Sequence, residues 1–195
     1  MEKIIINKEK SAILVDLDGT IFNIDARLQR ALSEAGVSQE EVNNTASFYR
    51  DNRRFAFFEE LFNPQAIMQL DVPIEGSVEK LNALAKFFNI FYISSRPIDE
   101  HNSDTFDATT KCLEENGFPD GVLVMRPRAQ KKATFFLQNI SEIIERGFKI
   151  EFAIDDGFDG VSQYEAFGIN LIRVDGKTFD IPNICVKYGD VEVCI

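Results

Sequence analysis

A single histidine, His101, stands among the 195 residues, which removes most Ser–His, Cys–His and histidine-nucleophile schemes. Its polar neighbours from Pro97 to Asp104 mark it as a solvated loop residue. Cysteine is scarce as well. Cys112, Cys185 and Cys194 are odd in number, widely spaced and without a C-x-x-C pair, so neither a disulfide framework nor a zinc ribbon is indicated, and a reducing compartment fits. Cys185 and Cys194 are near enough to pair across a terminal hairpin, but two buried or half-buried thiols are the expected state. There is no apolar run of about 18 residues, and Met1-Glu2-Lys3, a short apolar stretch and Asn7-Lys8-Glu9-Lys10 lack a signal-peptide pattern. The expectation is a soluble, cytoplasmic protein that engages no membrane. Positive charge is also in deficit: 21 Lys and Arg against 32 Asp and Glu give a net charge of −11. That argues against an extensive nucleic-acid or anionic-membrane surface, yet permits a small phosphate ester in a locally basic pocket.

What is present is enough apolar side chain, 45% of the chain, for one ordinary core. Apolar runs at Ala12 to Asp16, Ile90 to Ser94, Val122 to Met125, Phe152 to Asp155 and Asn170 to Val174 read as strands. Helix-length segments lie between them, from Ser77 to Phe88, Thr105 to Asn116, Ala133 to Arg146 and Val161 to Phe167. This alternation predicts an α/β fold with a mostly parallel sheet. Gly117, Gly147 and Gly168 follow three of the helices, where a left-handed cap suits a residue without Cβ. From Ile24 to about Leu70 the alternation fails. Arg27-Leu28-x-x-Ala31-Leu32 has helical spacing up to Gly36, Ser38 with Glu41 forms a capping box, and Phe55 to Phe62 makes a further helix bounded by Pro64. The expected organisation is a core of residues 1–22 and 72–195 with a small helical insertion, 23–71, over the carboxyl edge of the sheet. Ile184 to Lys187 and Val191 to Ile195 read as a terminal hairpin turning at Tyr188-Gly189-Asp190.

In Ala12-Ile13-Leu14-Val15-Asp16-Leu17-Asp18-Gly19-Thr20, an apolar strand runs straight into two aspartates two positions apart. Both carboxylates can meet one ligand at the carboxyl edge of a parallel sheet, where ligands bind. Gly19 permits a tight turn, and the Thr20 hydroxyl can tie the loop or hold a phosphate oxygen. An EF-hand is excluded, because counting from Asp16 puts Ile21 at position six and Arg27 at position twelve. Phe152-Ala153-Ile154-Asp155-Asp156 repeats the pattern of a strand ending in carboxylates. Two acidic strand ends invite a hard, oxygen-seeking cation such as Mg2+, with Asp156 and Asp159 both open as support for it. Ser94, Ser95 and Arg96 end another strand with donors suited to phosphate oxygens. Arg126, Arg128, Lys131 and Lys132 form the densest basic cluster in the chain.

Asp16-Leu17-Asp18-Gly19-Thr20, Ser94, a downstream lysine and Asp155-Asp156 together resemble, in order, the four motifs of the haloacid dehalogenase-like (HAD) hydrolase superfamily. Ser94-Ser95-Arg96, Val122 to Arg126 and Ala153 to Asp156 are more narrowly similar to the phosphatase module of phage polynucleotide kinase-phosphatases. The resemblance implies a three-layer, Rossmann-like α/β core with a cap inserted after the first motif. It also implies a phosphomonoesterase: Asp16 as nucleophile and Asp18 as general acid and base. Mg2+ would be held by Asp16, Asp155 and the backbone carbonyl of Asp18, Ser94 would donate to phosphate, and Lys131 or Lys132 would neutralise charge. An acid at position 18 favours phosphate transfer over dehalogenation.

The insertion carries Phe48, Tyr49, Arg50, Arg53, Arg54, Phe55, Phe57 and Phe58. These are either its own core with a solvated arginine face, or a surface that stacks a base and binds a second phosphate. The substrate expected is a small phosphorylated compound, with a nucleotide or a 3′-phosphorylated nucleic-acid end as candidates. A phosphomutase-type transferase and a catalytically impaired binding domain of the same fold stay open.

Overall fold

The computed structural model describes residues 11–99, 103–157, 160–188 and 191–194, so His101, Asp159, Gly189, Asp190 and Ile195 lie outside the described residues. The chain enters through β1 (Ala12–Val15), passes the two-residue β2 (Phe22–Asn23), and then forms α1 (Asp25–Ala35), α2 (Gln39–Asn43), α3 (Thr45–Phe48), α4 (Arg53–Leu61) and α5 (Pro64–Leu70). It returns through β3 (Val72–Pro73) to α6 (Ser77–Leu84), β4 (Asn89–Ile98), α7 (Asp104–Glu115), β5 (Val122–Pro127), α8 (Lys132–Glu145), β6 (Ile150–Asp155), α9 (Val161–Ala166) and β7 (Asn170–Arg173). The hairpin β8 (Cys185–Tyr188) and β9 (Val191–Cys194) closes the described chain.

Five strands form one sheet in the order β5-β4-β1-β6-β7, and every pairing within it is parallel. Alternation along β1 divides the core between two faces. Ile13 and Val15 join Leu81 and Leu84 of α6 and Cys112 and Leu113 of α7. Ala12 and Leu14 join Phe135, Phe136 and Ile140 of α8 and Tyr164 of α9. Three layers result, and β1, with its four residues all fully buried, is the middle of the middle layer. That position delivers Asp16 to the centre of the sheet's carboxyl edge.

The helical segment between β2 and β3 has its own core, built from Ala31, Leu32, Ala35, Val37, Phe48 and Phe57. β2 and β3 pair antiparallel and bring both of its ends together. The capping box at Ser38 is formed in full. α4 ends at Leu61, ahead of Pro64 as the sequence suggested, and Pro64 also opens α5: the Asn63 side chain accepts from the amides of Gln65 and Ala66, and proline takes the first helical position, where its missing N–H costs nothing. The expectation for Cys185 is also corrected. It is disulfide-bonded, and the hairpin register sets its backbone opposite Cys194. Cys112 is a free, buried thiol, which burial pushes up to about 11. Among the described residues no helix is long and apolar enough to cross a membrane.

Candidate active site

Beyond Val15 the chain leaves the sheet and folds back on itself, with the Leu17 carbonyl accepting from the amides of Thr20, Ile21 and Phe22. Thr20 is fully buried; its hydroxyl donates to Asp16 Oδ2 at 3.1 Å and accepts from the Asp156 amide at 3.0 Å. It therefore laces the two acidic loops together. Gly19 is required here, since its φ is +79° and a Cβ would stand 2.6 Å from Asp156 Oδ2.

Asp16, Asp155 and Asp156 each present a carboxylate oxygen within 4.8 Å of the others. Burial, and then the charges of Asp155, Asp18 and Asp156, push the Asp16 carboxyl well above the usual carboxylate range. A divalent cation with a preference for oxygen ligands fits this donor set, because its charge would offset the burial and the neighbouring carboxylates that push the Asp16 carboxyl up. In a chelator, Asp16→Asn is accordingly expected to melt higher than the unaltered protein, by roughly 1–3 kcal/mol in stability. A carboxyl whose folded pKa is raised loses stability as pH climbs through that pKa, so the advantage should grow from about pH 4 upward. Equal melting temperatures across that range would contradict the strain assigned to Asp16.

Asp155 is fully buried and held on both oxygens: the Gly157 amide donates to Oδ1 at 2.7 Å and the Tyr164 hydroxyl to Oδ2 at 3.1 Å. Such outer hydrogen bonds orient a metal-binding carboxylate. Tyr164→Phe is expected to raise the half-saturating Mg2+ concentration by about 10-fold to 100-fold with little change at saturating metal; an unchanged titration would remove Tyr164 from this role.

Asp18 lives in the opposite environment. Burial raises its pKa, but Arg27 and Arg96 outweigh burial and hold the carboxyl down at about 2. Arg27 Nη2 reaches Asp18 Oδ1 at 2.6 Å, while Arg96 reaches the same oxygen through Nε at 3.0 Å and Nη2 at 2.5 Å. Asp71 closes the circuit, accepting from Arg27 Nε and Arg96 Nη2 at 2.6 Å each. Arg27, Arg96 and Asp71 have wholly buried side chains. Remaining donors are spent on the Leu61 carbonyl and the Thr109 hydroxyl. Since Arg27 lies just after β2 and Asp71 just before β3, this cluster also pins both ends of the helical segment to the core.

The other sequence candidates fall in distinct places. Ser94 is buried and accepts from the Arg96 amide at 3.2 Å. Ser95 is half-buried, and its carbonyl accepts from Arg126. Between Ser94 and Pro97 the β4–β5 register shifts; such a bulge re-aims a side chain, and Arg96 ends on Asp18 and Asp71. Lys131 and Lys132 are both exposed at the start of α8, and Lys132 shares a cavity wall with Gly157, beside Asp156. Arg53 is engaged with Asp51, Glu41 and the Gly36 carbonyl. Arg54 donates to the Tyr49 carbonyl and lies 4.3 Å over the Phe55 ring. Arg50 is exposed. Of the insertion's aromatics, Phe48 and Phe57 are core, whereas Tyr49 and Phe55 are 59% and 61% exposed. Arg27 and Asp71 were absent from the sequence candidates.

No family model matches the sequence, and no curated protein sequence matches it. Solved structures do match the fold. A haloacid dehalogenase-like family hydrolase from Streptococcus pneumoniae superposes with a TM-score of 0.61 at 18% identity, covering 88% of each chain. The fold is that of the haloacid dehalogenase-like hydrolases. The putative HAD-hydrolase YfnB from Bacillus subtilis, bound to magnesium, gives a TM-score of 0.57 at 14% identity over 85% of this chain and 89% of its own. A chain of the Pnkp1/Rnl/Hen1 RNA repair complex gives 0.54 at 15% identity over 85% of this chain, which spans only 42% of that longer one. The HAD-like core thus carries the three clustered aspartates at the carboxyl edge expected of such a sheet.

Proposed function

We propose that the protein is a Mg2+-dependent phosphomonoester hydrolase in which Asp16 is the nucleophile and Asp18 the general acid and base. The observation that carries this reading is the contrast between two carboxylates two residues apart. Asp16 sits among other acids and is pushed up, whereas Asp18 is held ionised by two guanidiniums. The two surroundings suit different tasks: Asp16 clusters with Asp155 and Asp156, where a cation would gather them, and Asp18 is fixed beside Arg27 and Arg96. Bound Mg2+ would supply positive charge at Asp16, Asp155 and Asp156, offsetting repulsion between an anionic nucleophile and an anionic phosphate.

In the first half-reaction an Asp16 oxygen bonds to phosphorus and the P–O bond to the alcohol breaks. Asp18 returns a proton to the departing oxygen. In the second, water attacks the aspartyl-phosphate, Asp18 takes its proton, and free phosphate leaves with Asp16 restored. The ionised state of Asp18 suits the second step directly. Acting as an acid in the first step requires the incoming phosphate dianion to raise its pKa against Arg27 and Arg96. These arginines hold Oδ1, so proton exchange falls to Oδ2. Ser94 and Lys132 would serve the phosphoryl oxygens in this reading.

Residues 23–71 serve in this reading as the cap that selects the leaving group. Its exposed Tyr49 and Phe55, with Arg54 over the latter, support a base as part of that group. The likeness to a chain of an RNA repair complex points the same way. Rates of phosphate release from nucleoside monophosphates and 3′-phosphorylated oligonucleotides, set beside sugar phosphates, test the assignment. Uniformly poor turnover of the first two would sink the nucleotide part of it.

A further inference from the structure

Of the four charged side chains that meet around Asp18, those of Arg27, Arg96 and Asp71 have no exposure, while that of Asp18 keeps 23%. Fold stability is a weak reason for them. Buried ion pairs seldom outdo apolar side chains of the same volume, and the helical segment already docks through Ile67 of α5, fully buried in one core cluster with Cys112 and Leu113 of α7. The pattern of donors is more specific. Two guanidiniums could take one Asp18 oxygen each, yet both converge on Oδ1, Arg27 through Nη2 and Arg96 through Nε and Nη2. Oδ2 of Asp18 accepts no hydrogen bond among the described residues. Asp71 divides the donors: its Oδ1 takes Nε of Arg27 and its Oδ2 takes Nη2 of Arg96, at 2.6 Å each. The Leu61 carbonyl and the Thr109 hydroxyl take Nη1 of the two arginines. A guanidinium is a planar fork, so three fixed partners set its orientation.

We infer that Asp71 is a positioning residue: by claiming a donor of each arginine, it confines both guanidiniums to one oxygen of Asp18 and leaves the other open to the leaving alcohol and the attacking water. This rests on the reading of Asp18 as the general acid and base. Without the Asp71 carboxylate a donor on each arginine is unspent in a space closed to solvent, where an unmet donor is costly. The guanidiniums then turn onto Oδ2 of Asp18, and the open oxygen is lost.

The test is the time course of nitrophenol release from p-nitrophenyl phosphate in Mg2+. Nitrophenolate departs without a proton, so phosphorylation of Asp16 does not need Asp18, whereas hydrolysis of the aspartyl-phosphate does. Asp71→Asn is expected to release about one equivalent rapidly and then to turn over about 10-fold to 10²-fold more slowly than the unaltered protein, the cost of a misplaced group. The burst counts folded sites, so a merely structural fault would shrink it and leave turnover per site unaltered. Asp71→Glu, which keeps the charge but carries the carboxylate one methylene further out, should show the same burst with a smaller loss, and it carries the test if Asp71→Asn does not fold. In the Asp18→Asn background, Asp71→Asn should cost no further turnover per site, because it acts only through Asp18. Unaltered turnover per site in the folded variant, a loss without a burst, or a further loss in the Asp18→Asn background would overturn the inference. Failure of the underlying reading is seen separately, as absence of phosphate release by the unaltered protein or as normal turnover by Asp18→Asn.

Discussion

Arg96→Ala is expected to cost about 3–5 kcal/mol of stability, a fall in melting temperature on the order of 10 °C for a chain of this size. The guanidinium is fully buried and bridges Asp18 and Asp71, so its removal leaves Asp71, a side chain with no exposure, with one oxygen unpaired and Arg27 as its remaining guanidinium. Asp71 already has a raised pKa, because burial outweighs Arg96 and Arg27. Losing Arg96 raises it further. A raised folded pKa means stability is retained at low pH and lost as pH climbs through that value. The deficit of Arg96→Ala should therefore be larger at about pH 8 than at about pH 5. Denaturant melts at the two pH values read this directly; a deficit under about 1 kcal/mol, the value of a surface pair, would contradict the account of the cluster.

Asp18→Asn is expected to lower steady-state turnover by about 10²-fold to 10⁴-fold, the usual contribution of a positioned acid–base group. The substitution keeps an oxygen for Arg27 and Arg96 and removes only proton transfer. Because nitrophenolate leaves without a proton, p-nitrophenyl phosphate should still phosphorylate Asp16, and the block should move to hydrolysis of the aspartyl-phosphate. A rapid release of about one equivalent of nitrophenol followed by slow turnover is the expected trace. Alkyl phosphates should show no such burst. Turnover within about 10-fold of the unaltered protein would remove Asp18 from the chemistry.

Local signals in the sequence were strong where one segment decides its own structure. Four consecutive apolar residues before Asp16 marked β1 as a strand, and Ser38 with Glu41 marked a helix start. Pairing across distance left weaker traces. Arg27 and Asp71 are 44 residues apart in the chain and meet at 2.6 Å. One trace of Arg27 was available: it shares the stripe of Ala31 and Ala35, all buried on one face of α1, and a cation at such a position needs a buried partner. β2 and β3, two residues each, are too short to show a period of two. The direction of Arg96 depended on a register shift against β5, which no pattern within β4 encodes.

Phosphate release from a generic aryl phosphate, with and without Mg2+, by the unaltered protein and by Asp16→Asn, tests the central claim most directly. The account predicts release that requires Mg2+ and disappears in Asp16→Asn while that variant remains folded. Release that persists in Asp16→Asn, or a folded protein that releases no phosphate from any monoester in Mg2+, would contradict it.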